Sequence, residues 1–421
     1  MLRKIRCSDA RIGMYVDRVE GSWLDHALWK TRFAIRSADE LRKLRDAGVE
    51  HVWIDTDKGD DLPAAAPQAV DGGAPSATAT PQASATGAGP GGGPPRTGPR
   101  VQTATAQEEM GRAAKLVKRG REAVRQLFAE ARMGQVVECE QSLELVDEVW
   151  KSIDRNESAL VGLARLKTAD EDYTYLHSFS VCAMMIVLAR HLGRDDAFCR
   201  EAGLAGLFHD LGKVVIPFEI LHKPGRLTDE EFAIVRTHPV RGHELLRKGA
   251  DTPEAVLEVC LRHHERPDGR GYPDRLSGDD VTQLARMGAI CDVYDAITSN
   301  RPYKAGWDPA HSLAQMASWK GQFDEPMLHV FVRALGIYPI GSLVKLRSGK
   351  LAVVVEQTPG KPLAPVVKVF FSTKANAPIE PQLLDLNRSA DGIASREDPA
   401  RWGFKRLEEL WAGPDALRAS K

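Results

Sequence analysis

Paired cysteines are missing from this sequence. Its six cysteines, Cys7, Cys139, Cys182, Cys199, Cys260 and Cys291, are scattered with no C-x-x-C pair, which excludes a disulfide framework and a thiolate-rich zinc site. Several fall in apolar helical stretches, where a thiol behaves as a small hydrophobe and suits a reducing cytoplasm. Long apolar runs are missing too. The longest, Val181 to Ala189, is far short of the ~18 residues that a membrane-spanning helix needs, and no apolar segment follows the basic residues near the N-terminus. The reading is a soluble, cytoplasmic protein without a membrane partner. Charge of one sign is also lacking: the net charge is -1 with 27% charged residues, so bulk electrostatics favour no nucleic acid polymer and no anionic bilayer. A small anionic substrate held by a local basic patch stays open.

With 421 residues the chain has room for two or three domains, each burying its own core. Residues 1–60 read as a small α/β domain. Apolar runs stand at Met14-Tyr15-Val16 and Phe33-Ala34-Ile35, Ser37-x-x-Glu40 opens a helix that Gly48 closes, and Val49 to Asp55 alternates as a strand. Trp23, Trp29 and Trp53 are assigned to its core. Residues 61–107 are dominated by Ala, Pro, Gly, Thr and Ser, a composition that cannot bury enough surface to fold and reads as a disordered linker. Helical periodicity resumes at Glu108, giving a helical connector over 108–149 and a large all-α domain over 150–336. Residues 337–421 return to alternation at Gly341 to Val355 and Ala364 to Phe371, around the turn at Pro359-Gly360-Lys361-Pro362, and read as a small β appendage with a C-terminal tail. The fold class is mainly α, and the number of copies in the assembly is not encoded in any of these features.

The chemistry concentrates in the all-α domain. His177 opens an apolar helix, His209 and Asp210 follow the small-residue run Ala202 to Phe208, His238 precedes Pro239 at a helix start, His263 and His264 are adjacent, and Asp292 lies in another apolar helical run. One histidine on such a face is ordinarily a satisfied core residue. Five histidines and two aspartates on successive buried helices carry a desolvation cost that a bound metal answers. Imidazole with carboxylate suits Fe, Mn or Zn, and the ligand count suits two ions better than one, with Asp210 placed to bridge them and Asp295 to orient a ligand. Two ions ~3.5–4 Å apart generate a bridging hydroxide and clamp an in-line displacement at phosphorus. Lys213, Arg301 and Lys304 are the nearby cations for an anionic substrate. Asp210 and Lys213 are the catalytic candidates.

These blocks, His209-Asp210-x-Gly-Lys213, His263-His264-Glu265-x-x-Asp268-Gly-x-Gly271-Tyr272-Pro273, and Asp292-x-x-Asp295 followed by Arg301-Pro302-Tyr303-Lys304, resemble the HD-GYP family of the HD hydrolase superfamily. The resemblance implies an all-α HD-type domain that hydrolyses cyclic di-GMP, a bacterial second messenger, to linear pGpG and in some members on to GMP. It implies that His177, His209, Asp210 and Asp292 hold one metal and that Asp210, His238, His263 and His264 hold the other. Fe or Mn is expected, with Zn ranked behind them. Lys213, Arg301 and Lys304 would contact phosphates, and the Gly271-Tyr272-Pro273 loop would contact a diguanylate cyclase (GGDEF) domain.

One departure is informative. Members with a third metal carry glutamate four residues before the first histidine, where this chain has Tyr173, so two metals are expected. The N-terminal block is similar to a small domain of unassigned role that often precedes this catalytic domain, and it lacks the phosphoacceptor pattern of a receiver domain. Two other readings remain: an HD-type hydrolase of another cyclic dinucleotide or nucleotide, and a non-catalytic module that binds a dinucleotide or a cyclase.

Overall fold

Thr105 opens the helical part of the chain through a reciprocal cap. Its Oγ1 accepts the Glu108 backbone N–H at 3.3 Å while Glu108 Oε2 accepts the Thr105 N–H at 2.7 Å, satisfying donors that a helix start would otherwise leave open. The first helix, α1 (Ala106–Arg132), therefore begins two residues inside the stretch read as linker. The computed structural model describes residues 2–19, 33–38, 41, 51–60, 103–166, 173–223, 225–299, 306–404 and 406–419. The linker before Thr103, Trp23, Trp29 and most of the helix read over Ser37 to Gly48 lie outside the described residues.

Two compact units are present. In the first, β1 (Leu2–Arg6), β2 (Tyr15–Val19), β3 (Phe33–Ala34) and β4 (His51–Asp55) form an antiparallel sheet of order β1-β4-β2-β3. Ile5, Val16, Val52 and Ile54 share a core with Met14 and Ile35. Trp53 is only half-buried, which corrects its assignment to the core: with a period of two, the residue between Val52 and Ile54 must face the other way.

The second unit contains the helices and a second sheet. α2 (Leu143–Ala164) pairs with α1 through a buried carboxylate. Glu109 has no solvent exposure and accepts from Arg155 Nε and Nη2 at 2.8 Å each, Ser152 Oγ at 2.9 Å and Arg112 Nε at 2.9 Å. Burial alone would raise its pKa, but Arg155, Ser152 and Arg112 outweigh that and hold it below the ordinary value of 4.5. Truncation to alanine strands Arg155. We expect Glu109→Ala to cost about 2–3 kcal/mol in unfolding experiments, less than a sealed pair because the Arg155 side chain is 35% exposed. Because the folded-state pKa is the lower one, this stabilisation is present above pH 4.5 and fades as pH falls toward the lowered value. A wild-type midpoint for the variant at neutral pH would refute the assignment.

α2 is broken at Asn156 (φ -161, ψ 107), where the side chain replaces lost helical bonds. Its Oδ1 accepts from Ala159 N at 3.1 Å, as a cap for the second half, and its Nδ2 donates to Ala104 O and Glu356 Oε1 at 3.0 Å each. The central helix, α3 (Tyr173–His191), is buried almost all round, and α4 (Asp196–Phe208) lies close against it. Closeness depends on Gly206, where a Cβ would stand 3.1 Å from the Cys182 backbone. A 3-10 turn (Leu211–Val215), α5 (Phe218–Leu221), α6 (Asp229–Val235), α7 (His238–Leu246), α8 (Glu254–Arg262), α9 (Gln283–Thr298), α10 (Pro309–Ser318) and α11 (Glu325–Leu335) complete the bundle. Among the described residues no helix is long and apolar enough to cross a membrane.

After the bundle, β5 (Leu343–Leu346), β6 (Lys350–Glu356), β7 (Val366–Ser372), β8 (Ala377–Asp385) and β9 (Ile393–Arg396) form an antiparallel sheet of order β8-β7-β6-β5-β9. The segment read as a tail forms three short helices, α12 (Pro399–Trp402), α13 (Glu408–Trp411) and α14 (Pro414–Ala419). Trp402, Phe404, Leu407 and Leu410 cover one sheet face, and Trp411 packs at Gly162 of α2 and Gly341. Glu356 at the end of β6 also accepts the Ala106 N–H at 3.1 Å, so sheet and bundle share one junction.

Candidate metal centre

Five places in the bundle deliver ionisable side chains to one point. His177 comes from the first turns of α3, His209 and Asp210 from the end of α4, His238 from the start of α7, His263 and His264 from the end of α8, and Asp292 with Asp295 from α9. His209 is the last residue in helical conformation and Asp210 has left it (φ -103, ψ 10). The divergence of this doublet is therefore set by a helix end rather than by the ~100° step around a continuing helix. Gly212 makes this end fit. A Cβ there would stand 1.9 Å from His238 O and 2.5 Å from Gly242 N, so only glycine allows the 3-10 turn to lie against α7.

Three ring orientations are fixed by backbone. His209 Nδ1 donates to Gly206 O at 2.8 Å, His238 Nδ1 to Val235 O at 2.7 Å and His263 Nδ1 to Val259 O at 2.9 Å. A carbonyl only accepts, so in the neutral ring each Nε2 presents a lone pair. His238 Nε2 and His263 Nε2 face each other at 3.3 Å. His238 Nε2 is also 3.2 Å from Asp210 Oδ1, while His209 Nε2 lies 3.3 Å from Asp210 Oδ2 without a hydrogen bond. Lone pairs and carboxylate oxygens converging in a buried space require a cation between them. The donor set thus fits divalent metal on its own geometry.

His177 is held differently. Its Nδ1 is 2.6 Å from Asp295 Oδ2, and its Nε2 is 2.9 Å from Asp292 Oδ1 and 3.3 Å from Asp210 Oδ2. Burial would lower this imidazole, but Asp210, Asp292 and Asp295 outweigh it and raise it to about 9, a measure of how strongly the cluster draws positive charge. His263 is pushed down to about 3 by burial, with His209 and His238 adding to the effect. His264 goes down for the same first reason and for its neighbour His263. Burial would raise Asp210 and Asp292, yet Lys213 and the histidines hold Asp210 well below the carboxylate range, and His177 chiefly does so for Asp292. Three overlapping ligand groups result: His177, His209 and Asp292; His209, Asp210 and His263; His238, His263 and His264.

Lys213 Nζ is paired with Asp210 Oδ2 and its side chain is 22% exposed, so the ammonium sits at the border of cluster and solvent. The loop after His264 is a built wall. Glu265 Oε1 accepts from Asp274 N at 2.6 Å and Arg275 N at 3.0 Å, with burial raising its pKa. Asp268 takes Arg266 through two bonds, at 3.0 and 2.6 Å. Gly271 has no room for a side chain, its Cβ position being 2.5 Å from Glu265 Cα. Tyr272 N donates to His264 O at 3.2 Å, its ring stacks on His264 at 4.6 Å, and the bond to Pro273 is cis. Arg301 and Lys304 lie outside the described residues. Sequence reasoning missed Arg236, whose guanidinium lies over the Tyr272 ring at 4.4 Å; standing just before Thr237-His238, it carries no periodic signal.

A helical bundle that gathers a His-Asp doublet with histidines and aspartate from four further helices defines an HD-type, metal-dependent hydrolase domain. Residues 151–327 match the HD domain family, and residues 2–142 match a domain of unknown function (DUF3391). The chain is 46% identical to cyclic di-GMP phosphodiesterase PA4108 of Pseudomonas aeruginosa, over 98% of this chain and 96% of that protein. It belongs to the HD-GYP family of phosphodiesterases. Partial similarity extends to the cyclic di-GMP phosphodiesterase response regulator RpfG of Xanthomonas campestris (40% identity, 33% of this chain, 37% of that one). The 3'3'-cGAMP-specific phosphodiesterase 2 of Vibrio cholerae is 42% identical over 39% of this chain and 34% of its own.

Proposed function

We propose that the protein is a metal-dependent phosphodiesterase that hydrolyses cyclic di-GMP to linear pGpG, lowering the level of this second messenger in bacterial signalling. The observation that carries this reading is the convergence of His238 Nε2, His263 Nε2 and Asp210 Oδ1, with His238 Nε2 at 3.3 Å from His263 Nε2 and 3.2 Å from Asp210 Oδ1, beside the His177–Asp292 pair. His177, His209, Asp210 and Asp292 would hold one ion, and Asp210, His238, His263 and His264 a second. Divalent ions there supply Lewis-acid polarisation of a phosphoryl oxygen and lower the pKa of water. Fe or Mn suits the imidazole-carboxylate set, with Zn behind them.

The protein's own groups do the rest. Asp210 turns one carboxylate oxygen toward His238 and the other toward His177 and His209, so a single side chain aligns both halves of the site. Asp295 fixes the His177 ring. Lys213, at the solvent border, is placed to meet a non-bridging phosphate oxygen, joined in this reading by Arg301 and Lys304. The Gly271-Tyr272-Pro273 loop, stiffened by Glu265 and Asp268, backs His264 and offers the contact for a diguanylate cyclase domain. Buried free thiols such as Cys182 and Cys260 suit a cytoplasmic setting.

The test is a product assay with protein loaded anaerobically with Fe or Mn, on cyclic di-GMP, 3'3'-cGAMP and simple nucleotides. Formation of pGpG from cyclic di-GMP at the highest kcat/KM of the panel is the expected result. Preference for cyclic GMP-AMP would move the substrate assignment, and binding without turnover by metal-loaded protein would leave a receptor module.

A further inference from the structure

We propose that Arg236 binds the phosphodiester that is not being cleaved, anchoring the far half of a cyclic dinucleotide ring; this rests on the substrate class proposed above. Arg236 closes α6, with its N–H on Phe232 O at 2.9 Å, two residues before His238. The backbone that sets His238 therefore sets Arg236 as well.

Its guanidinium lies 4.4 Å over the Tyr272 ring, and that ring stacks on His264 at 4.6 Å and 23°. Arg236 is thus joined to His264 through the Tyr272 ring, just outside the ligand cluster. Among the described residues the guanidinium has ring contacts with Tyr272 and Phe232 and no ion pair. Of the other arginines near the loop, Arg266 is paired with Asp268, Arg262 with Glu258 and Arg286 with Asp324, while Arg270 and Arg275 have neither an ion pair nor a ring contact among the described residues.

A guanidinium held over an aromatic ring makes no hydrogen bond to it, which leaves its N–H donors for the fork that matches two phosphate oxygens. Its task is not to hold Tyr272 in place. Tyr272 N is bonded to His264 O, and Gly271 is wedged against Glu265, so the tyrosine keeps its position without Arg236. A cyclic dinucleotide carries two phosphodiesters. With one at the cluster, the second must lie off to one side, and an uncommitted cation two stacking steps from His264, through Tyr272, is chemically matched to it.

The experiment compares Arg236→Ala and Arg236→Lys with wild type, as metal-loaded full-length protein, on cyclic di-GMP and on bis(p-nitrophenyl) phosphate, which has a single phosphodiester. For Arg236→Ala, KM for cyclic di-GMP should rise about 10- to 100-fold, the loss of a charge-assisted hydrogen-bonded pair, with kcat, metal content and bis(p-nitrophenyl) phosphate turnover held. Arg236→Lys should recover part of the loss, having the charge but not the fork. An unchanged KM for cyclic di-GMP overturns the proposal. So does a parallel fall in metal content and in turnover of both substrates, which would make Arg236 a support for the Tyr272–His264 wall. If wild type cleaves bis(p-nitrophenyl) phosphate but not cyclic di-GMP, the substrate reading itself has failed, a different readout, and the proposal falls with it.

Discussion

Asp210→Ala protein should purify without its metal and lose turnover of cyclic di-GMP by about 10³-fold or more. The size follows from position. Asp210 is 1% exposed and faces His238 with one oxygen and both His177 and His209 with the other, at 3.2 to 3.3 Å. Without it the imidazole lone pairs have no shared anion to balance a divalent charge. Asp210→Asn keeps the shape and removes the charge, so it should fail in the same way with little loss of folding stability. Elemental analysis and a product assay check both variants. Full metal occupancy with undiminished turnover in either would remove Asp210 from the centre of the chemistry.

Gly212→Ala is the second large effect, and it uses no ionisable group at all. A methyl at this position would sit 1.9 Å from His238 O and 2.5 Å from Gly242 N, distances that backbone atoms cannot yield without moving the 3-10 turn off α7. That movement draws Asp210 and Lys213 away from His238. We expect a loss of about 2–3 kcal/mol, visible as a midpoint lowered by several degrees, together with reduced metal content. Wild-type melting and wild-type metal content would show that the turn and α7 are not pressed together as described.

Much of the site was legible because burying ionisable residues leaves a conspicuous pattern. Histidines and aspartates stand out in runs such as Ala202 to Phe208 or Ala289 to Tyr294, where everything else is apolar or small, and the structure brings all seven within three overlapping groups. What was not legible depended on contacts between distant segments. The break at Asn156 is set by Ala104 and Glu356, neither of which is local to it. The role of Gly212 as a contact glycine appears only when α7 is in place. In the C-terminal sheet, β5, β6 and β7 show apolar alternation, but β8 is an edge strand with Pro378 and Pro381 and mostly exposed side chains, so it presents no period to read. The last helices escape because each is at most six residues long.

The ring bonds of the histidines divide the centre by when its parts can be aimed. His209, His238 and His263 each donate Nδ1 to a carbonyl three or four positions earlier in their own segment, so every one of these imidazoles is pointed by local chain alone, ahead of any docking. His177 takes its bearing from Asp295, 118 positions downstream. Placing His209, His238 and His263 is thereby a matter of where their own segments end, whereas the bearing of His177 depends on α9, which carries both Asp292 and the buttress Asp295.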